Sequence, residues 1–180
     1  MDLSQSHDNA VVAAEFESGS YRPLPIGWRR LGSGVYRIAF RGPDGLVYKV
    51  EKNGSWNTAN EAKVFQYWKD NNYSFAPDFR YWPDANVMVM PEYKVLGTST
   101  WDNSVSIRDQ VEAIQYDYEV TDSHEDNLAL DGDRVVVIDG GNVTVGGDDY
   151  GDDGDMYSPS LSSEVAERYW CSECGQSHSF

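Results

Sequence analysis

The sequence predicts an α+β fold, an antiparallel sheet of about five strands with one helix, followed by a second helix and a short hairpin. Three features carry that expectation. Between Trp28 and Lys52, β-branched and aromatic runs are broken by glycine turns; two stretches have helical apolar spacing; and an aliphatic run, Val135, Val136, Val137 and Ile138, ends on Asp139.

Residues 1 to 20 are small and polar without a sustained period, which predicts a flexible N-terminus, with a single domain over residues 21 to 145. From Trp28, "WRRLGSGVYRIAFRGPDGLVYKVEK" reads as strand, glycine turn, strand, a Pro-Asp-Gly turn at 43 to 45, and strand. "NTANEAKVFQYWKDN" follows as a helix with Ala62, Phe65, Tyr67 and Trp68 on its stripe and Asn57, Thr58 or Asn60 as its cap. In "FRYWPDANVMVMPEY" two further strands flank residues 83 to 86. "SIRDQVEAIQYDYEV" spaces Ile107, Val111, Ile114 and Tyr118 by three and four, as a second helix would. Beyond the hairpin, "GGDDYGDDGD" has nothing to bury. Residues 146 to 158 are therefore expected as a solvated acidic linker, and 159 to 180 as a tail with a short helix in "SSEVAERYW".

A formal net charge of -16 argues against attraction to nucleic acid or anionic lipid, because like charges repel at long range. An aromatic share of 13% is too high for a disordered acidic chain, so the expectation is a folded protein with an acidic coat. Such a coat suits a cytoplasm of molar salt, and so a halophilic microbe or its virus as source. No stretch approaches the roughly 20 apolar residues of a membrane span. "MDLSQSHDNA" carries neither a basic nor an apolar signal region, which predicts a cytoplasmic chain. Cys171, Cys174 and His178 have the spacing C-x2-C-x3-H, compatible with three zinc ligands, with no fourth evident nearby.

Several residues have the chemistry of phosphoryl transfer, which needs a cover over phosphates, a cation on them, a divalent metal and a base aimed at the attacking hydroxyl. Gly32, Ser33 and Gly34 form a hairpin between two expected strands, where backbone amides can approach phosphate oxygens. Lys49 is a cation among apolar neighbours on a strand, and Glu61 on the following helix is its natural partner. In "TDSHEDN", Asp122 has the chemistry of a base for a hydroxyl, and His124 that of a donor to a terminal phosphate. The amide oxygen of Asn127 and the carboxylate of Asp139 suit Mg²⁺. Each residue alone also has an ordinary structural reading, as a turn, cap or strand end.

In their order along the chain, these residues and the "MPEY" segment resemble the protein-kinase-like superfamily over roughly residues 28 to 142. The similarity is strongest to compact or atypical members with a D-x-H-x-x-N loop. The resemblance implies a minimal kinase-like fold with a five-stranded N-lobe and a reduced helical C-lobe. Gly32, Ser33 and Gly34 would cover ATP, Lys49 would contact the α- and β-phosphates, and Glu61 would hold Lys49. Met90, Glu92 and Tyr93 would lie in the hinge that meets adenine through its backbone. Asp122 would be the base, with Asn127 and Asp139 as Mg²⁺ ligands. Arg37 stands at the third glycine position, Val120 and Thr121 replace His-Arg, Asp139 is followed by Gly140 and Gly141, and no Ala-Pro-Glu follows. The implied activity is transfer of the γ-phosphoryl group of ATP to a hydroxyl of a protein or small molecule. The alternatives are a pseudokinase scaffold that binds nucleotide without turnover and a zinc-tailed adaptor.

Overall fold

The computed structural model describes residues 2–16, 23–52, 57–97, 104–118, 120 and 123–140. Asp122, Gly141, the segment 146–158 and the tail with Cys171, Cys174 and His178 lie outside the described residues.

The described architecture is α+β. Its larger sheet contains β1 (Arg29–Ser33), β2 (Arg37–Arg41), β3 (Leu46–Glu51), β4 (Arg80–Trp82) and β5 (Val87–Pro91), antiparallel in the order β1-β2-β3-β5-β4. Each strand falls in a segment that turn chemistry had delimited. All six residues of β3 are buried, so both faces of this central strand are covered. Leu46, Tyr48 and Val50 join Val87 and Val89 in one core, while Val47 joins Met88 and Met90 in the other, as the alternation of a pleated strand requires. Lys49 shares the face of Val47.

The first core is closed by α1 (His7–Ala14), which follows a 3₁₀ turn at Leu3–Gln5. Within the segment expected as a flexible N-terminus, Leu3–Gln5 and His7–Ala14 are therefore helical. The buried side of α1 is Ala10 and Ala13, both fully enclosed; two alanines make too faint an apolar stripe to stand out as a period, yet their size lets a helix lie close on a sheet. Polar links complete the seat. His7 Nε2 lies 2.7 Å from Asp84 Oδ2, Trp82 Nε1 donates to Ser6 Oγ at 2.9 Å, and Asn9 Nδ2 donates to Asp44 Oδ2 at 2.9 Å.

On the other face lies α2 (Asn57–Asp70), with Glu61, Ala62, Val64, Phe65 and Trp68 buried. Tyr67, expected on its stripe, is only partly buried. The first backbone N–H groups of α2 are met by a residue outside the helix. Glu51, at the end of β3, accepts from the N–H of Asn57 at 2.8 Å and of Thr58 at 3.1 Å, and from Asn86 Nδ2 at 2.9 Å.

A second antiparallel sheet, in the order β6-β7-β8, contains β6 (Lys94–Val95), β7 (Leu128–Asp131) and β8 (Arg134–Val137). The two-residue β6 has no sequence signature. Gly132, at φ 63, makes the turn between β7 and β8. Against this sheet packs α3 (Val105–Glu112), extended by a π-helical turn at Ala113–Asp117. Gln110 ties them together: its Nε2 donates to Asp133 O at 3.0 Å and its Oε1 accepts from Val135 N–H at 2.9 Å. Among the described residues, no helix is long and apolar enough to cross a membrane.

Candidate functional site

The two sheets meet at a cleft of about 840 Å³, within the range of small-molecule and cofactor sites. One wall is the β1–β2 hairpin with Gly32, Ser33 and Gly34. Lys49 and Met90 lie across the larger sheet, Glu92 and Tyr93 follow β5, and Ile138 and Asp139 leave β8.

The hairpin is shaped by a bulge. Arg30 pairs with Phe40 and Gly32 with Ala39, which leaves Leu31 as the extra residue, and Gly34 N–H donates to Arg37 O at 2.9 Å. A Cβ at Gly32 would meet nothing within 4 Å, and one at Gly34 only Arg37 O at 3.9 Å. Neither glycine has a positive φ, so the described fold does not itself demand glycine at either position. What the missing side chains leave is open access from the cleft to backbone amides.

Behind Lys49 lies Glu61, with no exposed surface. Lys49 Nζ donates to Glu61 Oε1 at 2.9 Å and also to Ile138 O. Gly140 N–H donates to the same Oε1 at 2.9 Å. That reach depends on Gly140 lacking a side chain, since a Cβ there would stand 3.0 Å from the Phe65 ring and 3.2 Å from that of Trp68. The other carboxylate oxygen of Glu61 accepts from Arg37 Nη1, while Arg37 Nη2 donates to Asp139 Oδ1. Two cations and two carboxylates therefore form one chain across the back of the cleft. Burial acts to lower the Arg37 pKa, but the charges of Glu61 and then Asp139 outweigh it, and the net displacement is upward.

The structure gathers Gly32, Ser33, Gly34, Lys49, Met90, Glu92, Tyr93 and Asp139 around this cleft, with Glu61 beneath. The Glu92 carboxylate is engaged outside it, by Arg29 at 3.2 Å and by Arg41. Burial pushes the Tyr93 hydroxyl up to about 12, and that oxygen accepts from Asp78 N–H at 2.8 Å. His124 and Asn127 lie on the turn before β7 and are not among the lining residues. Asn127 N–H donates to His124 O at 2.9 Å, its Nδ2 lies 3.2 Å from His124 Nε2, and its carbonyl accepts from Ile138 N–H at 2.8 Å. Asp122 lies outside the described residues.

Two charged lining residues were not singled out as site residues from sequence, Arg37 and Asp126. Arg37 stands two positions before Ala39, which pairs with Lys49, so strand alternation puts Arg37 and Lys49 on one face once the register is fixed.

A magnesium ion at Asn127 and Asp139 would need both donors turned to one point, with a carboxylate and phosphates completing its oxygen shell. As arranged, the residues do not fit it. Asp139 Oδ1 is taken by a guanidinium, and the Asn127 amide nitrogen faces His124. Among the described residues, there is no group of three or more His, Cys, Asp or Glu side chains placed to hold a metal ion.

No protein-family model matches the chain, and no curated protein is significantly similar to it.

Proposed function

We propose that the cleft is the nucleotide site of a minimal protein-kinase-like domain, and that the chain transfers the γ-phosphoryl group of ATP to a hydroxyl. One observation carries the reading: a buried lysine, Lys49, is held on a fully buried helix carboxylate, Glu61, at the back of a cleft walled by a glycine hairpin. A structural ion pair has no need of a cleft, and an exposed strand lysine has no need of a buried carboxylate. In this reading Lys49 meets the phosphates, the amides of residues 32–34 cover them, and residues 90–93 receive the base. The acceptor hydroxyl oxygen bonds to the γ-phosphorus as the bond to the β,γ-bridging oxygen breaks. The electron pair of that bond leaves with ADP, and the hydroxyl proton passes to Asp122.

A second reading, a nucleotide-binding scaffold without turnover, is favoured by the Arg37 guanidinium on Asp139. Titration calorimetry with ATP, together with transfer of labelled γ-phosphate, separates the two. Lys49→Ala is expected to weaken ATP binding by about tenfold or more, the loss of one charge-assisted contact. Gly32→Ala is expected to weaken it without lowering the melting temperature, because its added methyl group meets no protein atom. Asp122→Ala is expected to abolish transfer and spare binding. Binding without transfer in the unaltered protein selects the scaffold, and no ATP binding at all overturns the reading.

A further inference from the structure

The geometry points to Arg37 as a built-in replacement for the divalent ion, so that the cleft accepts the polyphosphate of a nucleoside triphosphate as the metal-free anion. The inference rests on the nucleotide reading above and assigns the form in which that ligand binds.

The Arg37 side chain keeps only 12% of its surface exposed, yet it lines the cleft. Its position is set at both ends. The backbone is fixed in β2 opposite Glu51, and the guanidinium is fixed by Glu61 and Asp139. A guanidinium presents five N–H donors in a rigid fork matched to phosphate oxygens, and these two bonds occupy two of them.

A divalent ion at Asp139 would compete for the oxygen that Arg37 already holds, with like charge on either side of it. Admitting the ion means moving Arg37 away, which takes a cation from the fully buried Glu61. Withdrawing one partner from a buried ionic group is strongly unfavourable. A phosphate approaching Arg37 and Lys49 from the cleft needs no such displacement. Asp139 then serves as the residue that orients Arg37, and Glu61 as the shared counter-charge that aims both cations at the ligand.

The test is ATP affinity by titration calorimetry on the full chain, once in MgCl₂ and once in EDTA, for the unaltered protein, Arg37→Ala and Arg37→Lys. The unaltered protein is expected to bind at least as tightly in EDTA as in MgCl₂, because magnesium in solution competes with the cleft for the free anion. In EDTA, Arg37→Ala is expected to lose about tenfold or more, and Arg37→Lys to recover part of that, as a retained cation should. The magnesium-to-EDTA affinity ratio is the diagnostic quantity, since a merely structural arginine would change affinity in both media alike. Binding by the unaltered protein only in magnesium overturns the inference and leaves the nucleotide reading standing. No binding in either medium removes both. The comparison on the unaltered protein decides the matter even where neither variant folds.

Discussion

Glu61 has no contact with solvent, yet it accepts from Lys49, Arg37 and Gly140, so its charge is compensated from three directions. Its removal would strand two cations in a buried place, and Glu61→Ala is expected to cost about 3–5 kcal/mol, read as a lowered urea midpoint at unchanged slope. The Glu92 pairs with Arg29 and Arg41 offer the contrast. Those partners are substantially exposed, and pairs of that kind contribute roughly 0–1 kcal/mol. A loss as small as that for Glu61→Ala would mean the network is not held as described. The Lys49–Glu61 pair was legible in the sequence because Lys49 is a cation among apolar neighbours on a strand and the helix bearing Glu61 follows that strand directly. The second partner of Glu61 was not. Arg37 reaches it only through the β2–β3 register, and its bond to Asp139 joins positions 102 residues apart, which no local pattern encodes.

At the level of elements, the strands and the two later helices were readable because turn residues and apolar periods delimit them. Docked elements with little pattern of their own were not. The two-residue β6 is defined by its pairing with β7, α1 by its seat on the sheet, and the start of α2 by a carboxylate donated from β3. For α1 the seat carries a pH dependence. The hydrogen bond to Asp84 raises the pKa of His7 above its ordinary 6.5, and the same bond lowers that of Asp84 below 3.8. A raised histidine contributes stability that is complete below its unfolded value and is lost as pH rises through the folded one. A lowered aspartate contributes stability that is present above its unfolded value and is lost as pH falls through the folded one. The seat is therefore firmest between about pH 4 and pH 6.5. Compared with His7→Gln, the unaltered protein should melt higher in that window, with the difference shrinking as the pH rises toward 8. A difference that stays constant from pH 5 to 8 would show that this contact does not titrate with the fold.

For the whole molecule, 30 acidic side chains against 14 basic ones give a self-repulsion that salt should relieve. The screening length falls from about 10 Å at 0.1 M to about 3 Å at 1 M, so the melting temperature is expected to climb as KCl is raised over that range. A flat profile would sever the acidic coat from any salt adaptation. The α+β class and the five strands of the larger sheet were legible at this scale, because hydrophobic alternation reports which faces are covered. How the two sheets bring Lys49 and Asp139 to one cleft was not, since that depends on contacts between distant segments such as Arg37 with Asp139 and Gly140 with Glu61. The helix behind the larger sheet also bears on the order of events at the ribosome. His7 and Asp84 are 77 positions apart, so α1 emerges long before the strands it leans on, and a helix of eight residues is marginal alone. At ordinary elongation rates it waits roughly 4 to 15 s for β5. In the later part of that interval the nascent chain carries Phe40 and Tyr48 without β5 beside them, which makes the half-finished sheet the stage at which a holding chaperone would find its grip.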